Sequence, residues 1–355
     1  MVRRNNRNAV TYKLNSNISS WDQIDNLLEN INTRFARADK RTLAKQGIEL
    51  TDERLKMENY WIESTKKVIN MNIEDTTGNA EKTIIAKSVV SHIERNHQNV
   101  WNSSKTNLKS HEDIVYHEKV DVIFYKIDLH FYVIFVTSDP VLIDHLKELI
   151  GTENIVSINI ENSLFSWIYW KYRENDKNID DQYRVPFITA FTGILEGEAE
   201  DDTLLNGKSA DVSNLGAVDF HIAVGERLQS VGIQLEKLNS ETDSTMSQLF
   251  FKFDNLQSLA IDFKQSIMTD IKYTVSDSQG QSEEETDRIR YFSLLIYLNA
   301  YIIPKLRNLY AIDEQNFNNE LYGFRVRLAN KILDDLIKHG VGIENFDALQ
   351  KQPNI

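Results

Sequence analysis

A predominantly helical α+β fold is predicted by three observations. Apolar residues recur at helical steps through the first hundred positions. Two adjacent runs in the middle are rich in β-branched and aromatic side chains. The last third carries a nearly continuous heptad pattern. The expected organisation is a basic disordered tail (1–12), a helical basic domain (13–110), an α/β module (111–194), an acidic linker or loop (195–216) and a helical assembly domain (217–355).

The N-terminal region supplies the first helices. Trp21, Ile24, Leu28, Ile31 and Phe35 step by three and four from a capping Ser19 or Ser20. Thr51 is placed to cap a second helix running towards Met71, with Leu55, Trp61, Ile62, Val68 and Ile69 as its apolar positions. EDTTGNA (74–80) breaks it, and a third helix is expected over Glu81–Asn96. VDVIFYKI (120–127) and FYVIFVTS (131–138) read as a hairpin around Asp128-Leu129-His130, one long strand being the alternative. A short helix Pro140–Ile150 stops at Gly151, a strand follows at Ile155–Ile160, and a helix spans 162–175.

In the last third, Val224, Leu228, Val231, Leu235 and Leu238 step by four and three, and the register continues to Phe263. A long helix or coiled coil over 220–265 is favoured. Against it stand Gly225 and Gly232, each costing about 1 kcal/mol in a helix relative to Ala, and the strand-like alternation of Val231, Ile233 and Leu235. Ser282 and Glu285 form a capping box, Pro304 is expected to kink the helix that follows, and a last helix covers 316–339 up to Gly340.

Composition narrows the chemistry. The chain has 355 residues, no cysteine and a formal charge of −13. Disulfides, Cys-ligated zinc, iron–sulfur clusters and thiol nucleophiles are thereby excluded. No apolar run reaches the ~20 residues of a membrane span, and the basic start lacks the apolar stretch of a secretion signal. A cytoplasmic, acidic protein with no membrane partner is expected. The charge is uneven: residues 1–110 carry a net +5 and residues 111–355 a net −18.

That asymmetry directs the functional reading. Were the first helix to run through Lys45, Arg34, Arg37, Arg41 and Lys45 would line its flank, with Arg3, Arg4 and Arg7 joining from the tail. Such a stripe neutralises phosphates, or meets an acidic protein surface. The expected function is a non-enzymatic interaction protein that contacts nucleic acid or an acidic partner there and self-associates or binds protein through its C-terminal helices. No cofactor or metal is called for. The enzyme alternative is a Mg²⁺-dependent nuclease: SLAIDFKQS (258–266) resembles the acid-x-Lys strand of PD-(D/E)xK nucleases, with Asp254, Asp262 and Lys264 as the site. It requires a strand, since i and i+2 share a face only at period 2. A purely protein–protein scaffold is a third alternative.

Other motifs are weaker. LAKQGIELT (43–51) departs from helix–turn–helix glycine spacing, and GKS (207–209) lacks the upstream glycine of a phosphate loop. EGEAEDD (196–202) reads as a solvated loop, and LFSWIYWKYR (164–173) as core or interface. His92/His97 and His111/His117 converge on no helical face, so the eight histidines suggest no ligand set.

Overall fold

The computed structural model describes residues 8–74, 80–97, 99–195, 203–208, 216–239, 244–276 and 282–339. In chain order the elements are β1 (Asn8–Leu14), α1 (Trp21–Leu27), β2 (Ile31–Phe35), α2 (Lys40–Lys45), β3 (Lys56–Glu74), β4 (Ala80–Asn96), α3 (His111–Ile114), β5 (Val115–Ile127), β6 (His130–Phe135), α4 (Pro140–Ile150), β7 (Ile155–Ser157) and α5 (Asn162–Glu174). Then follow β8 (Tyr183–Leu195), β9 (Thr203–Lys208), α6 (Ala217–Ala223), β10 (Arg227–Leu238), β11 (Thr245–Asp254), β12 (Ser258–Ile261), β13 (Ile271–Val275), α7 (Glu283–Tyr297) and α8 (Ile303–Lys338). Strand residues outnumber helical ones among the described residues, so the predominantly helical expectation is overturned.

The chain forms two compact units. Unit 1 comprises residues 1–158, 256–258 and 270–301; unit 2 comprises 159–255, 259–269 and 302–355. Unit 1 is built on an antiparallel sheet in the order β13-β3-β4-β5-β6-β1, with β2 also on β3 and β7 also on β1. Val89 and Ile93 of β4, with Val122 and Phe124 of β5, bury one face against Ile24 of α1 and Leu142 and Leu146 of α4. The opposite face carries α7: Arg288 pairs with Asp121, Lys67 with Glu285, and the Tyr297 hydroxyl donates to Asp270 at 2.7 Å. A smaller core at one end gathers Leu43, Leu55, Met57, Trp101, Leu108, Ile114 and Val115.

Unit 2 holds the antiparallel sheet β12-β11-β10-β8-β9 with α5, α6 and α8. Its core is strongly aromatic: Phe165 of α5 meets Phe253 edge-on at 5.2 Å, and Trp170 packs on Phe317 of α8 at 5.6 Å. LFSWIYWKYR therefore serves as core, as expected.

The helices expected at 51–71 and 81–96 are the long strands β3 and β4, and the first helix ends at Leu27. The register explains why β3 misleads. Trp61 faces Ser91, whereas Lys67 faces Ser88, so the residues between Ile62 and Lys67 are accommodated as a bulge. An irregularity there flips which side chains face the core. Ile69, Met71 and Ile73 alternate cleanly only beyond it. Asn8–Tyr12, expected as part of a disordered tail, belong to β1.

The heptad region is likewise strand. Residues 228–238 of β10 are almost all buried, on both faces, which erases the period that separates strand from helix. Where one face is open, in β11, Ser247, Leu249, Phe251 and Phe253 are buried alternately. The hairpin β5–β6, helix α4 with its Asp139 cap and Gly151 stop, and helix α5 stand where expected. The strand at 155–160 is shorter, ending at Ser157.

At the C-terminal end a single helical run replaces two. Pro304 lies in the first turn of α8, after a π-helical segment Leu298–Ile302. The Ala300 carbonyl, which proline leaves without its helical donor, accepts from Lys82 Nζ at 3.5 Å. The acidic run 196–202 and Gly340 lie outside the described residues, as does Ser209 of GKS, whose Gly207 and Lys208 end β9. No described helix is long and apolar enough to cross a membrane.

Candidate metal centre

Strands β4 and β5 pair so that Glu94 stands directly opposite His117, and His92 opposite Lys119. His92 and Glu94, two apart on one strand, share a face, and His117 joins them from the neighbouring strand. That face is the one α7 covers further along, since Asp121, four residues beyond His117, takes Arg288.

Three atoms converge there. His117 Nδ1 lies 3.2 Å from His92 Nε2, while Glu94 Oε1 lies 3.5 Å from His92 Nε2 and 3.4 Å from His117 Nδ1. In a tetrahedral site the ligand–ligand edge is about 1.6 times the bond, so bonds of ~2.0–2.2 Å call for edges of roughly 3.3–3.6 Å. Two edges of the observed triangle have that size and the third, at 3.2 Å, is just short of it. Neutral imidazole nitrogens and a carboxylate oxygen also repel one another unless a proton or cation lies between them. His92, Glu94 and His117 are the metal-competent cluster found among the described residues.

The ligands are held from behind. At this end β3 diverges from β4, and side chains replace the ladder: the Glu58 backbone N–H donates to Glu94 Oε2 at 2.7 Å, and the Glu94 N–H donates to Asn59 Oδ1 at 3.1 Å. Tyr60 stacks on His92 with centroids 4.6 Å apart. Such supporting contacts fix ligand orientation. Asn59 is fully buried, and its Nδ2 has no hydrogen-bond partner among the described residues. Exposure is graded: the side chains of His92 and Glu94 are 13% and 12% exposed, that of His117 50%. An ion held by these three residues would keep one open side, as catalytic rather than closed structural sites do.

The sequence-predicted residues lie elsewhere. Arg34 is on β2, not a helix, and turns inward: it donates to the Glu94 carbonyl and, at 2.5 Å, to His145 Nε2. Burial and the Arg34 charge lower the His145 pKa, favouring the neutral imidazole that accepts this bond. Arg41 and Lys45 are on α2, and Arg37 precedes it; all three are exposed. The single helical stripe therefore does not form, and Arg3, Arg4 and Arg7 lie outside the described residues. In the nuclease pattern, β12 ends at Ile261, one residue short of Asp262. Asp262 closes the next turn, accepting from Gln265 N at 3.2 Å, and Lys264 sits within that turn. With no strand carrying both, Asp262 and Lys264 do not form the required shared face, and Asp254 ends β11.

The sequence signal for the site is short: His-x-Glu at 92–94. Judged at helical spacing, His92 and His117 have no partners; judged at period 2, His92 and Glu94 are neighbours. Only the β4–β5 register adds His117. Neither a protein-family model nor a curated protein matches this sequence.

Proposed function

We propose that the chain is a metal-dependent protein whose first unit binds a divalent transition metal through His92 Nε2, Glu94 Oε1 and His117 Nδ1. The observation that carries this is the triangle of ligand atoms with edges of 3.2, 3.4 and 3.5 Å. Two imidazoles and one carboxylate suit zinc or iron(II), and three ligands leave a position for water or substrate. An ion held this way supplies Lewis acidity and activates bound water, the chemistry of hydrolytic centres. Calorimetric titration with Zn²⁺ tests it: one equivalent binds the wild type, and His92→Ala or His117→Ala abolishes uptake. Absence of uptake by the wild type overturns the reading.

A second reading, contact with nucleic acid or an acidic partner, is supported by Arg37, Arg41 and Lys45, which are exposed and make no ion pair among the described residues. Charge reversal at the three abolishes retention of duplex DNA at about 50 mM salt if phosphate contacts drive binding. No retention of the wild type ends the nucleic-acid half.

A further inference from the structure

Resting on that metal reading, we infer that the open position of the centre takes an oxyanion, phosphoryl or carboxylate, and that Lys119 holds it. Lys119 stands directly opposite His92 on β5, two residues from His117, so all three side chains leave the sheet on one face. Directly opposed residues have Cβ atoms about 4.5–5.5 Å apart, well within the reach of a lysine stem. Lys119 is exposed and makes no ion pair among the described residues.

The surrounding carboxylates are engaged. Glu58 takes Lys56 at 2.9 Å, Asp121 takes Arg288, and Glu94 is itself a ligand. Glu118 leaves the opposite face, where it pairs with Arg95 at 2.9 Å. Lys119 is thus the uncommitted charge beside the triad.

Charge decides what this arrangement recruits. A divalent ion with one carboxylate ligand keeps a net +1, and the Lys119 ammonium raises the local total to +2. The two charges lie within one screening length of each other, about 10 Å at 0.1 M salt. An oxyanion with one oxygen on the metal and another on the ammonium neutralises both, whereas a neutral ligand leaves the lysine unused. A lysine serves this role as a compact point charge with three donors.

The test uses the full chain loaded with Co²⁺, whose visible absorption reports coordination. Inorganic phosphate and acetate are titrated separately at constant ionic strength, against wild type, Lys119→Ala and Lys119→Arg. The expected result is a spectral change with saturable anion binding, weakened about tenfold in Lys119→Ala, as for loss of one charged hydrogen bond. Lys119→Arg retains most of it, and Co²⁺ affinity is the same in all three. A response to phosphate alone identifies the ligand as phosphoryl; a response to acetate extends it to carboxylates. Co²⁺ loading with no anion response, or equal anion affinity in Lys119→Ala, overturns the inference and leaves the metal reading standing. Failure of Co²⁺ to load overturns both.

Discussion

Two polar clusters, one in each unit, each built around one carboxylate, are arranged to opposite ends. In unit 2, Asp219 of α6 is 1% exposed and saturated with donors. The Tyr169 hydroxyl reaches Oδ1 at 2.5 Å, and Arg173 Nη2 and Lys331 Nζ each reach Oδ2 at 2.7 Å. Burial and this carboxylate push the Tyr169 phenol far above its ordinary pKa, so it remains a donor. In unit 1, the triad brings two imidazole nitrogens and a carboxylate oxygen within 3.5 Å of one another, while the Glu58 backbone N–H goes to the other oxygen of Glu94. The first cluster is complete without a ligand and ties α5, α6 and α8 together. The second opens to solvent on the side of His117, whose side chain is half exposed. The balance of donors and acceptors separates a cluster that satisfies itself from one with room for a ligand.

The largest effect expected from this contrast is at Asp219. Asp219→Ala strands the buried Tyr169 hydroxyl and the Arg173 guanidinium, while the 44% exposed Lys331 turns to solvent, and costs about 3 kcal/mol. Asp219→Asn keeps the shape and costs less. Metal-free His117→Ala removes a half-exposed side chain and leaves Glu94 its Glu58 N–H donor, so it costs about 0.5 kcal/mol. Urea denaturation of metal-free protein checks both. A His117→Ala loss as large as that of Asp219→Ala would make the triad a structural cluster as well.

Next in size is Gly232, in the buried strand β10. An added Cβ there meets Ala190 Cβ at 2.9 Å and the Ala190 backbone nitrogen at 3.1 Å. Gly232→Ala is therefore overpacked and costs about 1–3 kcal/mol. A helix would respond with the opposite sign, gaining about 1 kcal/mol. Denaturation of this one variant separates the strand from the heptad helix by sign as well as size. It also locates the tightly closed packing in the sheet of unit 2, in contrast to the open triad.

How much was legible follows the same physics. Helix α4 carries its own punctuation, with Asp139 accepting from Val141 N at 2.8 Å, Pro140 in its first turn and Gly151 at its end, so local signals were sufficient. Hairpin β5–β6 is dense in β-branched and aromatic residues. In strands β3 and β4 such residues are sparser: the bulge after Ile62 changes the facing side chains, and polar positions interrupt the alternation. Misreading β4 as a helix also concealed the site, because His92 and Glu94 share a face only on a strand. The charge split dissolves on folding for a related reason. Residues 270–301 return acidic side chains to the basic N-terminal segment, and unit 1 carries a net −4 against −9 for unit 2. Several of its bases are also consumed internally, as where Lys66 and Lys87 close on Asp25 at 2.5 and 2.8 Å.

The smallest expected effect concerns Asp313, between the saturated and the open extreme. Its carboxylate accepts from Trp167 Nε1 at 2.9 Å and pairs with Lys171 at 2.8 Å, on the wall of a cavity of about 530 Å³ in unit 2. Burial alone would raise its pKa, but Lys171, Trp167 and Asn316 outweigh that, and the folded value lies below the ordinary one. A depressed carboxyl contributes its stability above its unfolded pKa, near 3.9 for aspartate, and loses it as pH falls through the lower folded value. Asp313→Asn therefore costs on the order of 1 kcal/mol at pH 7 and less as pH falls through the folded value, read from denaturation curves at neutral and acid pH. An equal loss at both pH values would assign Asp313 a hydrogen-bonding role independent of charge, and would place it with the fully closed cluster at Asp219.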